Sequence, residues 1–202
     1  MTAKIGINGF GRMGRLGLRA GWGRAGLEFV QVNEIATDAI GSAHLLQFDS
    51  VHGTWSIACS AQSNHMQVDQ QAIAYTSNTN IGETDWSGCD IVIEATGKHH
   101  KKPELLETYF EQGVKKVIVA APTEGALNIV YGINHDQYDP QQHKLLTAAS
   151  CTTNCLAPVV KVIQEKVGIV HGCMTTIHDI TNTQTIVDKG HKDLRRARAC
   201  GN

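Results

Sequence analysis

Runs of Val and Ile alternate along this chain with segments whose apolar positions recur at helical spacing. "KIGIN" (Lys4–Asn8) is a short β-branched run that passes into glycines, and "RMGRLGLRA" continues it as a helix. "EFVQVN" (Glu28–Asn33) reads as a second strand, and "DAIGSAHLLQF" (Asp38–Phe48) carries helical spacing through Ala43, Leu46 and Phe48. From His52 to Trp86 the texture is polar with short alternations such as "HMQV" and "AIAY", the pattern of hairpin strands. "DIVIEATG" (Asp90–Gly97) and "KKVIVAAP" (Lys115–Pro122) are continuous apolar runs ending in turns. Between them "PELLETYFEQG" (Pro103–Gly113) is predicted as a helix with Pro in its first turn. Helices separating such runs imply a parallel sheet covered on both faces, the doubly wound α/β class.

After Ala149 the pattern changes. "SCTTNCLAPVVKVIQEKVG" predicts a long helix stopped by Gly168, with Pro158 inside it and a bend expected near Ala157. "IVHGCMTTIHDIT" (Ile169–Thr181) is strand-like, and the basic run after Asp188 reads as loop. A domain boundary is therefore expected near Ala149, dividing residues 1–149 from 150–202. Neither repeats nor low-complexity tracts interrupt the 202 residues.

Composition narrows the classes. Hydrophobic content of 42%, charged content of 18% and a formal net charge of −1 suit a globular protein and give no electrostatic reason for nucleic acid or anionic membrane as partner. Six cysteines, scattered along the chain, do not make a disulfide scaffold. The start "MTAKIGING" lacks a basic segment followed by an apolar run, and no run of about 18 apolar residues exists to span a membrane. A reducing cytoplasm with free thiols is the expectation.

Two motifs carry chemistry. "GFGRMG" places Gly9, Gly11 and Gly14 in a G-x-G-x-x-G pattern between a predicted strand and a predicted helix, the context in which a pyrophosphate rests on helix N–H groups. The acidic residue due about 20 residues further on is Glu34, in "VNEIA" at the end of the second strand. A carboxylate there bonds ribose hydroxyls and repels a 2′-phosphate, which favours NAD over NADP. The second motif is "AASCTTNCLAP". A zinc clip would need two further ligands at matching spacing, and none follows; His99–His100 reads as exposed loop. A disulfide one helical turn apart would be strained and, in a reducing compartment, unprotected. Cys155 suits inward packing as a small apolar residue. Cys151, directly after the expected cap Ser150, falls where helix-end N–H groups stabilise a thiolate nucleophile, and His178 in "TTIHDIT" is the candidate base. No metal site is expected.

"KIGINGFGRMGR", "ASCTTNCLAP" and "TTIHDITNTQTIVD", with the spacing of Cys151 and His178, resemble the glyceraldehyde-3-phosphate dehydrogenases over essentially the whole chain. The resemblance implies a Rossmann-type doubly wound parallel sheet followed by the beginning of an α+β catalytic domain. It implies that Cys151 attacks an aldehyde while His178 takes the thiol proton. Hydride passes to NAD from a thiohemiacetal, and inorganic phosphate cleaves the resulting thioester. The backbone N–H of Cys151 would form the oxyanion hole. Ser150 and Thr152 fall near the attacking-phosphate site, and Thr181 near the site for the substrate's own phosphate. Arg12 and Met13 would lie along the pyrophosphate, Glu34 on the adenosine ribose, Thr96 and Gly97 along the cleft, and Ala120 near the nicotinamide. Partners implied are a sugar phosphate, phosphate or arsenate, and further copies of the chain in a homotetramer.

The chain departs from the family at several positions: Glu34 replaces the commoner Asp, His99 an aromatic residue flanking adenine, and Ala120 a frequent Ser. "VNEIA", "AHLLQFDSVHG" and the ending "HKDLRRARA" are closer to two side branches, the erythrose-4-phosphate dehydrogenases and the arsenate-linked group, and the motifs together point to the second. The family continues beyond the position of Asn202, through a sheet that supplies a phosphate-binding arginine, a nicotinamide-binding asparagine and most of the tetramer interface. The expectation is thus a fragment or a truncated product, with an NAD-binding protein lacking turnover as the rival reading. In that rival, Lys192–Arg198 would form a basic contact surface.

Overall fold

The computed structural model describes residues 2–181 and 184–201. The chain divides into two compact units, Met1–Val162 and Ile163–Asn202. The first unit opens with strand β1 (Ala3–Asn8), helix α1 (Arg12–Gly21), strand β2 (Leu27–Asn33) and helix α2 (Ala39–Gln47). Two short strands, β3 (Phe48–Asp49) and β4 (Gly53–Thr54), pair with each other. The hairpin strands β5 (Cys59–Gln62), β6 (His65–Val68) and β7 (Gln71–Thr76) come next. The sequence returns to the central sheet with β8 (Ile91–Glu94), helix α3 (Glu107–Glu111) and strands β9 (Lys116–Val119), β10 (Leu127–Asn128) and β11 (Leu145–Thr147).

Nine strands form one sheet in the order β10-β11-β9-β8-β1-β2-β7-β6-β5. Every pairing from β10 to β7 is parallel, and β6 and β5 extend that edge antiparallel. The chain leaves β1 toward β2 on one side and returns to β8 on the other, so the strand order reverses at β1/β8, where open α/β sheets bind ligands beyond their carboxyl ends. Two buried clusters flank the sheet. α1 and α2 contribute Leu18 and Leu46 to the first, with Ile7, Phe29 and Met66. α3 contributes Tyr109 to the second, with Trp86, Val92 and Val117. The doubly wound α/β frame expected from the alternating segments is the one observed.

Local chemistry explains the ends of these elements. Asp38 caps α2 by accepting from Gly41 N at 2.8 Å. The predicted helix at Pro103 begins instead as a 3₁₀ turn, Pro103–Leu106, before α3 takes over. Its Leu105 N–H reaches the Lys102 carbonyl three residues back, at 3.0 Å. His99–Lys101 also forms a 3₁₀ turn, with both histidines half-buried, which corrects the expected exposed loop.

Helix α4 (Cys151–Lys166) runs through Pro158. It stops at Gly168, whose φ of 84° is the left-handed value that glycine tolerates best. Two expectations fail here. Cys155 is exposed rather than packed inward, and no residue of α4 is buried. Nor is any strand assigned to 169–181, whose Val170 and Ile177 are 97% and 98% exposed. β-Branched composition supplies propensity, but a strand persists only with a ladder partner and a face to bury. In the second unit Thr185 and Ala199 form an isolated bridge. The basic run folds onto its own acids: Asp193 pairs with Arg195 and Arg196, and Asp188 with Arg198. Among the described residues no helix is long and apolar enough to cross a membrane.

Candidate functional site

The glycine turn lies at the strand-order reversal. Gly9 has φ 88°, and a Cβ there would sit 2.5 Å from Thr96 N, so the turn after β1 is packed directly on the turn after β8. Gly14 lies so close to that turn that a Cβ would meet the Gly9 carbonyl oxygen at 2.3 Å. Gly11 differs: nothing stands within 4 Å of where its Cβ would be. It is also the cap residue of α1 and brings no side chain to the helix start. Free space above backbone N–H groups at the positive end of a helix is the requirement for a bound pyrophosphate.

Glu34 closes this turn from the end of β2. Its Oε2 accepts from Phe10 N at 2.6 Å and its Oε1 from Ala36 N at 2.7 Å. Each carboxylate oxygen retains a second lone pair for a hydroxyl. Arg12, half-buried at the start of α1, is held from the side. Its guanidinium meets Asp49 Oδ2 at 3.4 Å and His52 Nδ1 at 3.1 Å. Asp49 accepts from the N–H groups of His52 and Val51 at 2.8 and 2.9 Å. These bonds, and then the Arg12 charge, hold its carboxyl down to about 2. Met13 is exposed on the same turn.

Beneath β8, Thr96 turns inward. Its N–H and hydroxyl donate to Glu94 Oε1 at 2.9 and 2.5 Å, and its oxygen accepts from Lys98 N at 3.1 Å. The expected cleft residue thus uses its hydroxyl to hold its own loop. Gly97, with φ 70°, is exposed beside it. Ala120 follows β9, half-buried, with its N–H on the Glu94 carbonyl at 2.9 Å. The cleft is therefore lined by turns after β1, β2, β8 and β9, and its open backbone and acidic rim fit a dinucleotide.

The cysteine motif begins one residue after a strained position. Ala149 has φ 60°, a left-handed value for a residue with a side chain. Ser150 then caps α4: its Oγ accepts from Thr153 N at 3.1 Å and lies 2.8 Å from Thr153 Oγ1. Cys151 is the first residue of α4 and is exposed, with Thr152 half-buried beside it. His178 and Thr181 belong to the second unit, both exposed. His178 Nδ1 lies 2.7 Å from the Asp179 carbonyl, a contact that favours a proton on Nδ1 and leaves Nε2 as the basic nitrogen. Thr181 donates from N and Oγ1 to Gln184 Oε1 at 2.9 and 2.8 Å. Among the described residues no group of three His, Cys, Asp or Glu is placed to hold a metal ion.

Several residues escaped sequence reading. Asp49 and His52 hold Arg12, Glu94 holds Thr96, and Asn154 spans the turn before Cys151. For Glu94 a signal existed, since an acid ending an otherwise apolar strand needs donors. For the others only the folded chain supplies the partner.

The fold and this cleft define a dinucleotide-binding α/β protein. Residues 3–102 match the glyceraldehyde 3-phosphate dehydrogenase NAD binding domain, and residues 150–202 match the C-terminal domain of the same family. Glyceraldehyde-3-phosphate dehydrogenase 3 of Nostoc sp. is 56% identical over 202 residues, covering 98% of this chain and 60% of the relative. Glyceraldehyde-3-phosphate dehydrogenase of Geobacillus stearothermophilus is 46% identical over 202 residues with the same coverages. Glyceraldehyde-3-phosphate dehydrogenase 1 of Bacillus subtilis is also 46% identical, again over 98% of this chain and 60% of its own length. The chain belongs to the glyceraldehyde-3-phosphate dehydrogenase family, its cofactor is NAD, and it spans about 60% of the length of these curated relatives.

Proposed function

We propose that this chain supplies the NAD-binding domain, the nucleophile and the base of an NAD-dependent glyceraldehyde-3-phosphate dehydrogenase. Residues 1–149 form the cofactor domain and residues 150–202 the beginning of the catalytic domain. Gly9, Gly11, Arg12, Met13 and Gly14 hold the pyrophosphate, and Glu34 the adenosine ribose. Thr96, Gly97 and Ala120 shape the nicotinamide end. Bound there, NAD supplies the acceptor for a hydride.

The observation that carries the reading is the place of Cys151 at the capped first turn of α4, where backbone N–H groups and the helix dipole favour a thiolate. The thiolate sulfur bonds the aldehyde carbon, and the Cys151 N–H stabilises the oxygen that becomes negative. His178 takes the thiol proton and returns it to that oxygen to give the thiohemiacetal hydroxyl. It accepts the proton again as the carbon loses its hydride and becomes a thioester, and hands it to the sulfur when the thioester is cleaved. An incoming anion, received at Ser150 and Thr152, displaces the sulfur to give an acyl product and restores the thiol. Thr181 holds the phosphate of the sugar substrate. Phosphate as acceptor gives the glycolytic reaction, arsenate the resistance-linked one, and water the non-phosphorylating chemistry of erythrose-4-phosphate dehydrogenases. The assembly proposed is a cytoplasmic homotetramer. The pairing of Arg195, Arg196 and Arg198 with Asp193 and Asp188 speaks against a basic docking surface, and so against the rival binding-protein reading.

NADH formation from glyceraldehyde-3-phosphate, with and without phosphate or arsenate, tests this. A rate that requires the anion and disappears in Cys151→Ser supports the proposal; turnover surviving in that variant removes Cys151 from the mechanism.

A further inference from the structure

We infer that Asn154 is a positioning residue that sets the reactivity of Cys151 by clamping the strained turn in front of it. The inference rests on the reading of Cys151 as the nucleophile and goes beyond it. Leaving β11, the chain must reverse within three residues to start α4, and it does so through Ala149 at φ 60°. For a residue with a Cβ this conformation is unfavourable and persists only where surroundings impose it. Asn154 supplies the constraint. Its Nδ2 donates to the Ala148 carbonyl at 2.7 Å and to the Ser150 carbonyl at 2.9 Å, so the two protons of one amide group hold the carbonyls on either side of Ala149. The Asn154 N–H also meets the Ser150 carbonyl at 2.9 Å, the ordinary helical bond. Ala148 lies outside the helix, so its carbonyl receives no bond of that repeating kind, and the Asn154 side chain fills the place.

The chemistry singles out asparagine. Aspartate would present oxygen to two carbonyl oxygens, and an aliphatic residue would present no donor. Releasing the clamp lets Ala149 relax toward ordinary dihedrals, and the first turn of α4 frays with it. Cys151 then loses the ordered N–H groups that stabilise its thiolate. The effect belongs to the ionised thiol, so it is a change in pH profile rather than a general loss of rate.

The test follows the alkylation of Cys151 by iodoacetamide across pH, read by peptide mass spectrometry, in wild type and Asn154→Ala, with unfolding midpoints measured alongside. Two lost hydrogen bonds correspond to about a tenfold slower reaction near neutral pH, with the two proteins converging at alkaline pH where each thiol is ionised. Adding Ala149→Gly to Asn154→Ala is expected to restore the neutral rate, because glycine adopts a positive φ without the clamp. An unchanged profile in Asn154→Ala, a slowing equal at every pH, or a failure of Ala149→Gly to restore the rate each overturns the inference. A different failure is recognisable in the wild type: if Cys151 reacts no faster than the exposed Cys173, it is the nucleophile reading that falls.

Discussion

Tyr109 Oη lies 2.7 Å from Glu94 Oε2, at a point where Glu94 is 2% exposed and Tyr109 not at all. Burial first, and then the Glu94 charge, push the Tyr109 hydroxyl above its ordinary range, so it remains a donor. Asn8 Nδ2 reaches the same carboxylate oxygen at 3.2 Å, while Thr96 occupies the other through N–H and hydroxyl. Four donors from β1, α3 and the turn after β8 thus converge on two oxygens below the cofactor cleft.

Glu94→Gln is therefore expected to be costly although the shapes match. An amide offers one oxygen, so its NH₂ group must face either the Tyr109 and Asn8 donors or the two from Thr96. Leaving buried donors without an acceptor costs about 1–3 kcal/mol. Urea unfolding should show a loss of about 2 kcal/mol, together with weaker NAD binding by calorimetry as the Thr96 turn loosens. Wild-type stability in this variant would mean that the network bears no weight.

Two glycines of one motif should separate stability from binding. Gly9→Ala places a methyl 2.5 Å from Thr96 N at φ 88°, and its unfolding midpoint should fall. Gly11→Ala meets nothing within 4 Å at an ordinary φ of −67°. Its midpoint should be unchanged while the methyl intrudes on the space proposed for the pyrophosphate. NAD affinity is then expected to drop about tenfold, the discrimination that a misplaced methyl group costs in a fitted site. Undiminished affinity in Gly11→Ala would move the cofactor away from this turn.

The parallel strands were legible because a strand buried on both faces must be continuously apolar, as in "KIGIN", "DIVIE" and "KVIV". The glycine turn and the Ser150 cap were legible because each satisfies a local geometric demand. Segment 169–181 misled for the converse reason: its β-branched residues give a propensity that acquires meaning only with a neighbouring strand. Cys155 misled because a helical position is inward only if another layer covers it. Glu94 showed only that it needs donors, and Tyr109 for it, like Arg12 for Asp49, arrives from a segment that the fold alone brings near. Asn154 stayed hidden because the carbonyls it reaches, six and four residues back, face it only once Ala149 has turned the chain.

Asp49 makes the fold sensitive to acid. Its carboxyl is held down to about 2 by the N–H groups of His52 and Val51 and by Arg12, against about 3.9 in an unfolded chain. A depressed carboxylate contributes stability that is present above the unfolded value and lost as pH falls toward the folded one. Asp49→Asn keeps an acceptor for the two N–H groups but removes the charge facing Arg12. Its melting temperature should lie below wild type at pH 6, and the gap should narrow steadily on titration to pH 3. A gap that stays constant over that range would assign the difference to shape rather than charge.

The thiols should divide into two classes. Cys59 and Cys89 are pushed up to about 11, in each case mainly by burial and at Cys89 also by Asp85 and Asp90. Cys151, Cys155 and Cys173 are exposed. Since the thiolate is the reacting species, a rise of this size leaves about a hundredfold less of it at pH 8 than an ordinary thiol carries. Iodoacetamide at that pH should modify the exposed cysteines and leave Cys59 and Cys89 intact until the protein is denatured. The same shift has a stability consequence of opposite sense to that of Asp49. A thiol whose folded value is raised contributes stability that is complete below the unfolded value near 8.5 and is lost as pH rises through 11. Cys89→Ala removes that contribution, so its melting curve should fall less steeply than wild type between pH 8.5 and 11. Early alkylation of Cys89 in the native protein would show instead that the cluster around Trp86 and Val92 opens on the timescale of the reaction.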